Sequence, residues 1–100
     1  MKKTNQSANM TSFHDHVVTA TVNQLLSICG EPEYVNDDIS DKVQYDWVME
    51  TEDGKVFTIY DWKEYRHFSK DEKIEWHIGA HDSYTALTAY LELKKELANC

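Results

Sequence analysis

Residues 43–51 and 56–62 alternate between apolar and polar side chains, which is the pattern of β-strands with one buried face. The dipeptide Asp53-Gly54 lies between them and is a strong hairpin signal, because glycine readily adopts the positive φ angles of tight hairpin turns. We therefore predict two adjacent antiparallel strands joined at Asp53-Gly54, with Gly54 at positive φ.

The register of this hairpin decides which side chains share a face of the sheet. With a loop of only Asp53 and Gly54, Trp47 would oppose Tyr60. One face would then carry Tyr45, Trp47, Met49, Val56, Tyr60 and Trp62. The other face would carry Val48, Phe57 and Ile59, flanked by Asp46, Glu50 and Asp61. A change of one residue in loop length would alter this pairing.

Two other segments show the spacing of amphipathic helices. The first follows a candidate N-cap at Thr19 or Thr21 and ends at Gly30. Its apolar positions are Val22, Leu25, Leu26 and Cys29. The second begins at Asp82 or Ser83. Its apolar positions are Ala86, Leu87, Tyr90, Leu93 and Leu97.

A third strand is predicted over residues 74–78, which alternate again and stop at Gly79. Residues 13–18 could add a strand before the first helix. The predicted order is therefore (β)αβββα, a three-stranded antiparallel sheet, or four-stranded with that first segment, and two helices, which is an α+β domain. Residues 1–12 are polar and aperiodic and are predicted to be a flexible tail, so one folded domain is expected over residues 13–100.

The charge of the chain restricts its partners. It has 18 acidic and 10 basic residues and a formal net charge of −8. Binding to a nucleic-acid backbone needs a basic surface, so no direct nucleic-acid binding is expected. An acidic surface favours a basic protein partner. The predicted partner-binding residues are acids of the loop 33–41 and of the hairpin tip, namely Glu33, Asp37, Asp38, Asp41, Glu52 and Asp53.

The chain has no pattern typical of a metal, disulfide or membrane protein. Its five histidines include no set of three or four ligands at a metal-binding spacing, so no metal and no other cofactor is predicted. Cys29 and Cys100 are far apart and form no C-x-x-C motif, which favours two free thiols in the cytoplasm. No apolar segment approaches the ~20 residues that a membrane-spanning helix needs.

Enzymatic chemistry has little support in the sequence. There is no Gly-x-Ser-x-Gly motif, and the three glycines are scattered rather than grouped in a phosphate-binding loop. The best catalytic candidate is the pair Asp46 and Asp61, which would oppose each other across the hairpin. Acids at the end of a sheet more often meet a base, here Lys63 or Arg66, or water. We therefore predict no catalytic residues and a protein that is not an enzyme.

An alternative ligand site is the cluster of Trp62, Lys63, Tyr65 and Arg66. Aromatic planes beside cations can stack a base and hold phosphates, so the protein could sequester a signalling nucleotide. The competing interpretation is that the two aromatic rings pack under the connection between strands and that Arg66 pairs with an acid.

Four short blocks stand out in the chain: Gly30-Glu31-Pro32, Asp53-Gly54-Lys55-Val56, Thr58-Ile59-Tyr60-Asp61-Trp62-Lys63 and Glu75-Trp76-His77-Ile78-Gly79. Together they resemble a family of small proteins from tailed phages and some large DNA viruses. The resemblance covers residues 19–90 and carries no assigned activity, so no functional residue is transferred from it. Where such relatives often have Gly-Gly after the isoleucine, this chain has Gly79-Ala80.

The resemblance implies a viral origin, and small acidic viral proteins often act by binding a host protein. We therefore predict that the chain binds and inhibits a host defence protein in the host cytoplasm, for example a CRISPR effector or a restriction nuclease with a basic cleft. A virion or assembly component is a further alternative. Because both hairpin faces carry large apolar residues and two helices cover only one face well, we also predict a homodimer.

Overall fold

The computed structural model describes residues 1–36 and 38–100, which form an antiparallel sheet of six strands and two helices. The strands are β1 (Lys2–Lys3), β2 (Ser12–Ala20), β3 (Tyr34–Val35), β4 (Tyr45–Glu50), β5 (Val56–Tyr60) and β6 (Ile74–Ala80). The helices are α1 (Val22–Cys29) and α2 (Ser83–Ala98). The α+β class and the two helices are confirmed, but the sheet has more strands than the three or four predicted.

The two additional strands, β1 and β3, both pair with β4, one near each end of that strand. The strand order is β1, β4, β5, β6, β2, and β3 also pairs with β4. Within β4, Glu50 pairs with Lys2 of β1 and Asp46 pairs with Tyr34 of β3. Each of the additional strands has two residues, which is too short to show a period of two in the sequence.

The first residues of the chain, predicted to be a flexible tail, lie against the sheet. The amino group of Met1 is 3.1 Å from the carboxylate of Glu92 on α2. Residues 4–11 run from β1 at one edge to β2 at the other edge, and on the way Gln6 Nε2 donates to Glu50 at 2.9 Å. Because these contacts are polar, residues 1–11 show no regular spacing of apolar residues from which a sheet contact could be predicted. The flexibility of this segment stays a prediction.

Capping residues at both ends of each helix form hydrogen bonds with backbone N–H and C=O groups of the terminal turns. Thr21 Oγ1 accepts from Gln24 N at 3.0 Å, and the Gln24 side chain accepts from Thr21 N at 2.9 Å, which forms a capping box. Gly30 has a φ of 78° and donates to Leu26 O at 2.9 Å. The cap of α2 is Asp82, which accepts from Thr85 N at 2.7 Å. Of the predicted alternatives, Thr21 and Asp82 are therefore the caps.

The helices pack on one face of the sheet and leave the other face without a helix. The buried sheet side chains under the helices are Trp47, Met49, Phe57, Ile59, Trp76 and Ile78, and the buried helix side chains that contact them include Val22, Leu25, Ala86, Ala89 and Leu93. Leu87, predicted in the apolar stripe of α2, is exposed. Thr85 and Ala89 are buried instead. Among the described residues, neither helix is long and apolar enough to cross a membrane.

The hairpin loop has three residues, 52–54, rather than the two predicted. Gly54 N donates to Thr51 O at 2.9 Å, and Thr51 N donates to Lys55 O at 2.9 Å. Gly54 has a φ of 82°, so its predicted positive φ is confirmed. A turn of this kind adds one residue to the second strand as a bulge and shifts the pairing by one position.

The shifted register corrects the predicted faces of β5. Trp47 pairs with Ile59 rather than with Tyr60, and Met49 pairs with Phe57 rather than with Thr58. Phe57 and Ile59 therefore lie in the core with Trp47 and Met49. Tyr60 and Val56, which were predicted on that face, lie on the helix-free face.

Substitution of Gly79 in β6 tests how tightly side chains pack on the helix-free face. A Cβ at Gly79 would lie 2.7 Å from Thr58 Oγ1 and 3.4 Å from Tyr60 Cε1. We expect Gly79→Ala to lower the free energy of unfolding by about 1–3 kcal/mol, because an added methyl group overpacks this contact. Urea unfolding followed by tryptophan fluorescence measures the change.

The matched control repeats this substitution in a Thr58→Ala background, where the crowding oxygen is absent. There Gly79→Ala should be neutral or stabilising by up to about 0.5–1 kcal/mol, because glycine is unfavourable inside a strand. Equal losses in the two backgrounds would show that the Thr58 contact is not the cause.

Candidate functional site

Asp61 joins the end of β5 to the beginning of β4. Its side chain is fully buried, and Oδ1 accepts from the backbone N–H groups of Gln44 and Tyr45, each at 2.8 Å. Burial raises the pKa of Asp61, and these hydrogen bonds lower it by a smaller amount. Asp61 Oδ2 has no hydrogen-bond partner among the described residues.

Asp46 is the second acid of this region and projects from the helix-free face of β4. Its cross-strand neighbours are Tyr34 of β3 and Tyr60 of β5, so the predicted opposition of Asp46 and Asp61 is wrong because of the register shift. Within the described chain, its Oδ1 is buried without a hydrogen-bond partner. Burial, and then the negative charges of Glu33 and Asp61, raise the pKa of Asp46 to about 6.

A cleft of about 510 Å³ opens beside Asp46, and we refer to it as the acidic cleft. Its lining consists of Tyr34, Ser40, Asp41, Lys42, Val43, Asp46 and Tyr65. The lining carries two carboxyl groups and two phenol rings against one lysine, so acids outnumber bases. This composition suits a cationic side chain, because carboxylates accept its hydrogen bonds and aromatic rings attract its charge.

The acids of the 33–41 loop also hold the loop together. Asp38 Oδ1 accepts from Ser40 N at 2.9 Å and from Ser40 Oγ at 2.6 Å, and these bonds lower the pKa of Asp38. Asp41 accepts a hydrogen bond from Asn36 Nδ2. Asp38 and Asp41 are nevertheless exposed. Asp37 lies outside the described residues.

The remaining predicted partner-binding acids do not all lie at this cleft. Glu33 is exposed and lines a neighbouring cavity of about 460 Å³ with Val48 and residues 4–8. Glu52 and Asp53 are in the hairpin loop at the other end of β4, six and seven residues beyond Asp46, which is about 20 Å or more along the strand at ~3.4 Å per residue. The predicted acids therefore form two separate groups.

Four rings form a continuous row on the helix-free face, which we call the aromatic strip. It consists of Phe13, His77, Tyr60 and Trp62, with centroid separations of 4.2, 5.5 and 6.2 Å along the row. Burial lowers the pKa of His77, which favours the uncharged ring in this packing. Trp62 is 39% exposed, whereas Trp47 and Trp76 are fully buried.

Two lysines lie over Trp62 at the end of the strip. Lys63 Nζ is 5.5 Å and Lys42 Nζ is 5.8 Å from the centroid of the Trp62 ring. Lys63 N also donates to Lys42 O at 2.8 Å. Among the described residues, neither ammonium group forms an ion pair. Lys42 was not predicted in this cluster because it is 20 residues from Trp62 in the chain. The one feature that could have indicated it is its position directly before the first strand of the predicted hairpin.

The predicted cluster of Trp62, Lys63, Tyr65 and Arg66 is therefore divided in the structure. Trp62 and Lys63 are in contact, but Tyr65 lines the acidic cleft. Arg66 donates to both carboxylate oxygens of Glu72, at 3.1 and 2.5 Å, as the competing interpretation predicted for this residue. That interpretation also placed Trp62 and Tyr65 under the connection, but their side chains are exposed.

Other reactive side chains do not converge. In residues 1–36 and 38–100, no group of three His, Cys, Asp or Glu residues is arranged to hold a metal ion. Cys29 and Cys100 are both unpaired. Burial raises the pKa of the Cys29 thiol to about 12, which keeps it protonated and unreactive.

Asp46 predicts a specific pH dependence of stability. Its pKa rises from 3.8 to about 6 on folding, so between these pH values the folded protein retains a proton that the unfolded chain has released. The parent should lose stability as the pH rises through this window. We expect Asp46→Asn to be more stable than the parent by about 1–3 kcal/mol at pH 7, and equal to it at pH 4.

Asp38→Asn is the control with the opposite sign, because hydrogen bonds from Ser40 lower the pKa of Asp38. It should be less stable than the parent at pH 7. Urea titrations at pH 4, 5, 6 and 7 measure both differences. If the free energies of unfolding of Asp46→Asn and the parent differ by the same amount at every pH, the pKa of Asp46 is not raised on folding.

Comparison of the chain with protein-family models, curated proteins and solved structures finds no match. The resemblance to a viral family therefore stays a prediction that rests on the sequence blocks.

Proposed function

We propose that the protein is a binding module that holds a basic protein partner through the acidic cleft. The observation that carries this proposal is the carboxyl group of Asp46, with a buried oxygen that has no partner in the described chain and a pKa of about 6. A buried carboxylate beside other acids is unfavourable by itself. A cation from the partner would stabilise it and would lower its pKa.

The contents of the cleft favour an arginine or lysine side chain as the group that enters. Asp41 and Asp46 provide acceptors, and Tyr34 and Tyr65 provide aromatic surfaces for a cation. A volume of about 510 Å³ is ample for one such side chain. The exposed acids Glu33 and Asp38 lie nearby and would increase the rate of encounter with a basic surface.

The viral resemblance suggests a host defence protein as the partner. Nucleic-acid-targeting enzymes, such as CRISPR effectors and restriction nucleases, have basic clefts, and an acidic module bound there excludes the nucleic acid. On this proposal the protein acts in the host cytoplasm as an inhibitor, without catalysis and without direct contact with nucleic acid.

Self-association is a further part of the proposal. Tyr84, Leu87 and Leu91 are 71%, 43% and 57% exposed and lie on one side of α2 at helical spacing. A two-fold contact between α2 helices would cover these side chains. We expect a dimer of about twice 11.7 kDa in sedimentation equilibrium, and a monomer for Leu87→Glu/Leu91→Glu. A parent that stays monomeric at high micromolar concentration would contradict this.

The cleft is tested with two double variants of equal charge. Asp41→Asn/Asp46→Asn changes the acidic cleft and Glu52→Gln/Asp53→Asn changes the hairpin tip, and each changes the net charge from −8 to −6. Immobilised parent protein captures partners from host lysate, and the association rate of each identified partner is measured at several salt concentrations. We expect the cleft variant to bind about tenfold or more weakly and with a flatter salt dependence, because a buried ion pair is lost.

The tip variant should bind nearly as well as the parent. Equal weakening by both variants would indicate general charge attraction and would reject the cleft as the site. Unchanged binding by the cleft variant would reject the proposal itself.

A further inference from the structure

We propose that Trp62, Lys42 and Lys63 form a binding site for a mononucleotide, with the base on the Trp62 ring and the phosphates at the two lysines. This inference does not rest on the acidic cleft. The two sites have Lys42 in common, but they would bind groups of opposite charge.

The placement of charge is the first observation. The chain has a net charge of −8 and 18 acids, yet two ammonium groups lie within 6 Å of one indole ring and neither pairs with a carboxylate in the described residues. Both lysines bring positive charge to one ring, and the face of the indole offsets only part of this positive charge. A phosphate group between the lysines would offset it and would accept hydrogen bonds from both.

The exposure of the ring is the second observation. Trp62 is 39% exposed, although Trp47 and Trp76 of the same chain are fully buried. Tyr60 meets it nearly at a right angle, with an interplanar angle of 82°, so this neighbour supports the indole without stacking parallel to it. In the proposed complex a base stacks on the exposed indole in place of a lysine ammonium group, and the lysines turn to the phosphates.

The backbone holds these groups in place before any ligand binds. Asp61, the residue before Trp62, is buried and accepts from the backbone N–H groups of Gln44 and Tyr45. Lys63 N, one residue after Trp62, donates to Lys42 O at 2.8 Å. Lys63 and Tyr65 have φ angles of 55° and 52°, values that residues other than glycine rarely adopt. Strained backbone of this kind persists where the surrounding contacts impose it, and it is concentrated at binding sites.

The same charges favour a mononucleotide over a nucleic-acid strand. Two lysines can neutralise one or two phosphates, whereas a longer strand would place further phosphates against an acidic protein. Arg66, the remaining cation of the predicted cluster, is already paired with Glu72.

Tryptophan fluorescence provides a direct assay, because a base stacked on Trp62 quenches the most exposed of the three indoles. The probes are ADP, adenosine and inorganic pyrophosphate. Adenosine has the base without phosphates, and pyrophosphate has the phosphates without the base. We expect ADP to bind about tenfold or more tightly than either fragment, and more weakly as salt increases.

The variants are measured by isothermal titration calorimetry, which does not depend on the fluorescence of Trp62. Trp62→Leu and Lys42→Gln/Lys63→Gln should each weaken ADP binding by about tenfold or more. The matched control is Lys94→Gln/Lys95→Gln on α2, which removes the same charge from an exposed helix and should leave binding unchanged. Unfolding curves reported by buried Trp47 and Trp76 establish that each variant is folded.

Several results would overturn the proposal. Pyrophosphate binding equal to ADP binding would indicate a simple anion site, and equal loss in both lysine variants would indicate general charge attraction. Tighter binding of oligothymidylate than of ADP would assign the surface to a strand instead. Asp46→Asn should bind ADP at least as tightly as the parent, so failure of this proposal and failure of the acidic-cleft proposal are separate outcomes.

Discussion

The packing of Trp47 against Trp76 is the contact on which the rest of the structure depends. Their rings meet at 5.5 Å and 75° in the centre of the core, and both are fully buried. Each side chain contributes about 4–6 kcal/mol of apolar burial by transfer estimates. Their indole N–H groups donate to Gly30 O and Ala20 O, at 2.8 and 3.0 Å. Since these carbonyls flank α1, one pair of rings fixes β4, β6 and the ends of α1 together.

Among polar side chains, buried Asp61 has the largest effect on the surface that carries the acidic cleft and Trp62. By accepting from two backbone N–H groups, it fixes the beginning of β4 relative to the end of β5. Asp46 consequently lies beside Tyr34 and Tyr60 on the helix-free face, and Trp62 emerges next to Lys42. The acidic cleft and the lysine-flanked indole are therefore adjacent, because the carboxyl group of Asp61 holds the beginning of β4 next to the end of β5.

These two sites also show why net charge describes the protein poorly. Among the described residues, the predicted partner-binding acids lie at the two ends of β4, and Asp38 has a role inside its own loop. Two lysines form a local positive site in a chain of net charge −8. Coulomb interactions in water are screened within ~10 Å, so a partner senses these local arrangements more than the total.

Elements with local signals could be predicted from the order of residues along the chain. The glycine that ends α1 and the alternation of β4 and β6 are properties of neighbouring residues and were predicted. The caps were predicted as pairs of alternatives, Thr19 or Thr21 and Asp82 or Ser83, of which Thr21 and Asp82 are the caps in the structure. The third strand was predicted to stop at Gly79 but continues to Ala80. Tertiary structure decided the hairpin register, because the three-residue loop and the two-residue loop fit the same dipeptide and only core packing selects between them. It also decided the pairing of Lys2–Lys3 with β4 and the meeting of Lys42 with Trp62, since contacts between remote residues leave no period in the sequence.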